Sequence, residues 1–284
     1  MRRTAVILAL LLLAVGLLAT PATAAPDDTV RVGSFNIDRG RGFTAWRRAA
    51  AQLQRTVDVA GMQEVTSVAK RRYLLRGRWE AYGTTPGPDE NPVIWDGTVF
   101  RKVGAQAVRI AGKQGRLPAA YATVVRLVHR ASGERYSVLN VHLVYGAVAN
   151  GRPVPGQAAR YRYYVAEVRG LARVVALEQR RAGTRVLVVG DFNDDHVGDR
   201  EVRNANLPVV RLGARGLVSA WDSVEDLPED GGTSTVGAGY IDNVWSEQDA
   251  LSVRTLAVSG GQHHPVIATY DVAPDPTAVQ RPAG

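Results

Sequence analysis

The sequence predicts a layered α/β sandwich, and three observations predict it. Many short apolar runs bounded by turn residues read as strands, several of them in hairpins. A few segments carry apolar residues at helical spacing, and no low-complexity linker or repeat divides the chain. Such a mixture buries its apolar faces by packing sheets on each other with helices outside.

The first segment has the layout of a secretory leader: Arg2-Arg3, an apolar run from Ala5 to Ala19, then small residues at Ala22-Thr23-Ala24. The run falls short of the ~20 residues that cross a bilayer. Residues 1–25 are therefore expected to be a cleaved signal peptide and the protein to be exported, with no stable membrane insertion. Residues 26–273 are expected to form a single domain, followed by a flexible tail over 274–284 with Pro274, Pro276 and Pro282.

Within the domain, Val30 to Ile37 reads as a strand, and Thr44 as the N-cap of a helix running to Val57 with Trp46, Ala49 and Leu53 on one face. A second strand spans Val57 to Val65, and Pro92 to Val99 is a short third. Tyr121 to His129 and Arg135 to Tyr145 form a hairpin turning at Ser132-Gly133. Tyr164, Val168, Leu171 and Val175 mark a long helix ended by Gly183, before a strand from Val186 to Val189. Tyr240 to Trp245 and His264 to Val272 are the last strands, and the Pro/Gly-rich stretches Pro86–Pro92 and Gly151–Gly156 are surface loops.

Cysteine is absent, which excludes disulfides, thiol catalysis and thiolate metal sites. The formal net charge is +8, of which cleavage would remove Arg2 and Arg3. A basic surface favours polyanions, because Lys and Arg beside phosphates release condensed counterions. Arg supplies most of that charge, in a chain also rich in Ala, Val and Gly, so compositional bias accounts for it equally well.

The chemistry gathers where apolar strands stop. Five strands end in Phe35-Asn36, Gln63-Glu64, Asn140-Val141-His142, Gly190-Asp191-Phe192-Asn193 and Ile241-Asp242. Side chains alternate along a strand, so Asn140 with His142, and Asp191 with Asn193 if the strand continues, share a face. Burying so many polar groups is costly unless they bind something, and carboxylate oxygens suit Mg²⁺, Mn²⁺ or Ca²⁺. Outside this set, His129 and His196 read as surface residues, Asp194-Asp195 as solvated loop, and Trp95, Trp221 and Trp245 as core. Arg71, Arg72, Arg76 and Arg78, and Arg160 with Arg162, read as solvated helix faces that could also line a phosphate groove.

The ordered set Asn36, Glu64, His142, Gly190-Asp191-Phe192-Asn193, Asp242 and His263-His264-Pro265-Val266 resembles the endonuclease/exonuclease/phosphatase superfamily over nearly the whole expected domain. The resemblance implies a four-layer sandwich, two β-sheets packed face to face between helices, with the site at the sheet ends. It implies Glu64 as the main metal carboxylate with Asn36 beside it, Asp191 and Asn193 positioning water and phosphate, and His142 on a phosphate oxygen. His263 becomes the proton-transfer histidine, oriented by Asp242. Gln262 stands where the family usually has a metal-supporting Asp, keeping a carbonyl oxygen but losing the charge. Tyr240 likewise replaces a residue that is often basic in relatives.

Three functions stay open at this stage. The leading one is a secreted nuclease; the others are a sphingomyelinase-like phosphoesterase acting on a lipid headgroup or inositol phosphate, and a non-catalytic binding protein.

Overall fold

A computed structural model describes residues 28–83, 90–225, 227, 232–233 and 239–272. The expected leader, the C-terminal tail and most of the Pro86–Pro92 loop lie outside the described residues. The chain runs through β1 (Thr29–Asn36), α1 (Phe43–Gln54), β2 (Val59–Gln63), α2 (Val68–Leu74), β3 (Trp79–Tyr82) and β4 (Val93–Asp96). The hairpin strands β5 (Phe100–Ala111), β6 (Ala120–His129) and β7 (Arg135–His142) follow, then a small ribbon of β8 (Val148–Ala149) and β9 (Arg152–Pro153). Next come α3 (Ala158–Gln179), β10 (Thr184–Asp191), α4 (His196–Val202), α5 (Pro208–Gly213) and β11 (Val218–Ser219). A 3-10 turn over Ala220–Ser223 leads to β12 (Asp242–Ser246), β13 (Ser252–Thr255) and β14 (Val266–Asp271).

These strands make two mixed six-stranded sheets, ordered β13-β14-β1-β2-β4-β3 and β11-β12-β10-β7-β6-β5. Each sheet holds one parallel pair, β1 with β2 and β7 with β10. Parallel strands need a crossover, and α1 and α3 supply the two. The crossovers bring the carboxyl ends of all four strands to one rim.

Val32, Val59, Trp95, Val138, Val189 and Val244 belong to the core shared by the two sheets. A second core joins α1 to the first sheet through Trp46, Leu53, Phe35 and Met62, and a third joins α3 to the second sheet through Tyr164, Val168, Leu171 and Val188. The result is the four-layer α/β sandwich that the sequence predicted. Gly61 lets the sheets approach: a Cβ there would lie 2.4 Å from Val189 Cγ2 and 2.5 Å from Asn140 Oδ1.

The structure amends several local expectations. The first helix is capped at Gly42, not Thr44, and stops at Gln54, after which the Thr56 hydroxyl donates back to the Leu53 carbonyl (2.9 Å). His129 and His196 are buried, not surface residues: His129 accepts from or donates to Ser132 (2.9 Å), and His196 pairs with Asp222 (2.9 Å) against the Trp245 ring. Asp194, expected in solvated loop, is also buried, while Asp195 caps α4 by accepting from Gly198 N. Trp95, Trp221 and Trp245 are core residues, as expected.

Candidate active site

Asn36 closes β1, Glu64 follows β2, His142 closes β7 and Asp191 closes β10. Asp242 opens β12, which runs antiparallel to β10 with Asp242 opposite Asp191. His263 lies just before β14, antiparallel to β1. Strand direction alone thus delivers six separate side chains to one rim.

Three of them, Asn36, His142 and His263, converge on Asp191 Oδ2. Asn36 Nδ2 donates to that oxygen (3.0 Å), His142 Nε2 lies 3.5 Å from it and His263 Nε2 3.8 Å. The other oxygen, Oδ1, accepts from the Asn193 backbone N–H (2.9 Å). His263 Nδ1 meets Asp242 Oδ2 at 2.7 Å, deep in the protein. Burial alone would push the His263 imidazole down, but the Asp242 carboxylate, with Asp191 and Glu64 behind it, outweighs burial and raises it to about 9. The imidazole is therefore charged at neutral pH, its Nδ1 committed to Asp242 and its Nε2 turned toward Asp191.

Glu64 sits at φ 62, a strained conformation for a residue with a side chain. Its Oε2 accepts from Arg39 N (2.7 Å) and Arg39 Nε (3.2 Å), while Oε1 has only a 3.5 Å contact to Nη2. Burial would raise this carboxyl, but the Arg39 N–H and guanidinium together hold it below the usual carboxylate range. Glu64 is thus a fixed anion with acceptor capacity in hand.

Asn193 reaches the rim by a different route from the one alternation suggests. β10 ends at Asp191, and Asn193 adopts a left-handed φ of 51. Its side chain donates to the Leu143 carbonyl (2.9 Å), tying the loop after β10 to the loop after β7. Asn140 does not join the site. It receives Gln63 Nε2 (2.7 Å) and donates to the carbonyls of Met62 (2.8 Å) and Pro92 (2.9 Å), a buried clamp between the sheets. Gln262 is exposed on the rim next to His263.

A groove of about 330 Å³ opens from Glu64 and His142 toward Tyr145, Arg160 and Glu167. Arg160, read from sequence as a solvated helix face, lines this groove and donates to the Tyr145 carbonyl (2.7 Å). Arg39, Tyr145 and Glu167 were missed as well, since none follows a strand-end motif and only the folded loops bring them together.

Asp191, Asp242 and His263 offer ligand atoms within 4.8 Å of one another, a candidate metal-binding group in which the imidazole would have to give up its proton to ligate. The wider donor set of carboxylate and amide oxygens with imidazole, including the unspent Oε1 of Glu64, suits a hard divalent cation.

Known folds resemble this one throughout. A mannosyl-6-phosphatase, Bt3783, from Bacteroides thetaiotaomicron superposes with a TM-score of 0.63 at 12% identity, covering 84% of this chain and 98% of that one. The catalytic domain of human Nocturnin with bound sulfate gives 0.61 at 18% identity, over 85% and 94%. D. rerio TDP2 complexed with a single-strand DNA product gives 0.60 at 15% identity, over 86% and 99%. No curated protein matches the sequence. The model of the Endonuclease/Exonuclease/phosphatase family matches residues 33–263, from the first strand through the rim histidine, and the chain belongs to that family.

Proposed function

We propose that the chain is a secreted, divalent-metal-dependent phosphodiesterase whose substrate is nucleic acid. The observation that carries this reading is the meeting of Asn36, His142 and the His263–Asp242 pair around one oxygen of Asp191. A diester phosphate repels its nucleophile, so its hydrolysis needs cationic groups, a held water and a proton carrier close together. The rim has candidates for each.

Glu64 and Asn36, beside Asp191, would hold a divalent cation, which would supply charge neutralisation at the phosphoryl oxygens. Asp191, its Oδ1 fixed by Asn193 N–H, is the carboxylate that orients an attacking water. His142 and protonated His263 present N–H groups to the phosphate, and Asp242 keeps the His263 ring in place. The formal charge of +8, reduced by two to +6 once Arg2 and Arg3 leave with the leader, supports a polyanionic substrate, as does the single-strand DNA product held by the similar fold of TDP2. Export rests on the leader over residues 1–25.

The test incubates purified protein with plasmid, single-stranded DNA and RNA in Mg²⁺ or Mn²⁺. Chelator-sensitive cutting that Glu64→Ala and His263→Ala abolish is expected. Intact nucleic acid under every metal, with turnover of sphingomyelin or an inositol phosphate instead, overturns the substrate. N-terminal sequencing of protein from culture medium should begin near Ala25.

A further inference from the structure

The loop that carries the groove is pinned from Leu143 to Tyr145. Leu143 N donates to the Asp191 carbonyl (2.9 Å) and the Leu143 carbonyl accepts from Asn193 Nδ2 (2.9 Å). Val144 N donates to Glu167 Oε2 (3.0 Å), and Glu167 is itself buried in α3. The Tyr145 carbonyl is held by Arg160, also from α3 (2.7 Å). Yet the Tyr145 ring, at the end of this fixed backbone and only three residues from His142, is 75% exposed.

An exposed tyrosine on an unconstrained loop would need no explanation. A large ring carried on a backbone already fixed beside a candidate phosphate site differs, because the cost of ordering the loop has been met before a ligand arrives. The groove it borders is also lined by Leu117, Pro118 and Tyr121, with cationic Arg39 and Arg160 among its walls. That combination of flat apolar surface and guanidinium suits a planar base joined to phosphates, since every base offers a π-face to an aromatic ring.

Resting on the nuclease reading above, we infer that Tyr145 is a stacking platform for an unpaired base next to the scissile phosphate, so that the substrate is single-stranded nucleic acid. In a duplex each base face is already covered by its neighbours, and a base can stack on Tyr145 only where the strand is single or frayed. An acyl chain would find the guanidinium groups unfavourable neighbours. Tyr145 would be a specificity-determining residue, taking no part in bond making.

The experiment compares three substrates under the metal that supports cutting: a single-stranded oligonucleotide, its blunt duplex, and a strand of equal length built from abasic tetrahydrofuran units. Wild type should prefer the single strand over both. Tyr145→Ala should reduce the preference for base-bearing over abasic strand by roughly ten-fold or more, whereas Tyr145→Phe should retain it because the ring remains. Equal melting temperatures of the variants confirm that folding is not at issue. An unchanged preference in Tyr145→Ala, or a wild type that prefers duplex, overturns the stacking role while leaving the nuclease reading intact. Absence of cutting on all three substrates, with another phosphoester hydrolysed, overturns both.

Discussion

Asp191 and Asp194 leave the same turn three residues apart, yet their carboxyls meet opposite surroundings. Asp191 faces two imidazoles and the Asn36 amide, and Asp242 behind it holds His263. Asp194 accepts from Gly151 N (3.1 Å) through Oδ1, and Asp199, on α4, accepts from Val209 N (2.8 Å) through Oδ2. The second oxygen of each is buried with no hydrogen-bond partner among the described residues, and both residues border one cavity of about 10 Å³. Burial, with mutual repulsion, pushes Asp194 up to about 8, and burial pushes Asp199 to about 6. One set of acids meets imidazoles and an amide donor; in the other, Asp194 keeps its proton through neutrality while Asp199 releases its own near 6. The residue type is common to both, and the neighbours decide the charge.

The sharpest way to break this contrast is to remove charge without volume. Asp191→Asn keeps the side chain's shape and should lower phosphodiester turnover by at least ~10³-fold, since the rim loses its central anion. Turnover within ten-fold of wild type, with the fold intact by circular dichroism, would remove Asp191 from the mechanism. A smaller loss, roughly 10²-fold, is expected for Asp242→Asn, which leaves the ring positioned but uncharged. Its second readout is the imidazole of His263, followed by NMR in metal-free protein. Without the Asp242 charge, the largest opposition to burial is gone and only Asp191 and Glu64 remain to support the cation, so the proton should leave well below about 9. A titration unmoved by the substitution would show that Asp242 does not support the imidazolium.

The contrast also marks what a sequence can disclose. Four strand ends were legible because an apolar run that stops at Asn36, Glu64, His142 or Asp191 is a local pattern, and strand direction carries it to the rim, whereas Asp242, expected at a strand's end, opens β12 and arrives from the antiparallel direction. Asn193 was legible as a motif but not in conformation, since a left-handed turn after β10 breaks the alternation. Asn140 shares a face with His142, and only the opposing sheet reveals that its amide is spent on Met62 and Pro92. His129, His196 and Asp194 were misplaced for the same reason: their burial depends on the distant partners Phe100, Asp222 and Gly151 respectively, which no window around them contains. The twelve-residue β5 escaped detection because most of its side chains are exposed or half-buried, leaving a weak apolar signal in the edge strand.

The smallest effect tests the other half of the comparison, and its sign is opposite. Asp194 has its carboxyl raised to about 8 from an ordinary 3.8, so between those values the folded chain holds a proton that the unfolded chain has released. Folding stability from this group is therefore complete below pH ~4 and declines as pH rises toward ~8. Asp194→Asn has no proton to lose, and its amide oxygen can still accept from Gly151 N. The variant should match wild type near pH 4, gain up to about 5 kcal/mol over it by pH 8, and change turnover by less than about two-fold. Urea unfolding at the two pH values measures the difference. A variant that is less stable at pH 8 would mean that Asp194 is ionised in the fold and has found a cation, and the two sets of acids would then be alike.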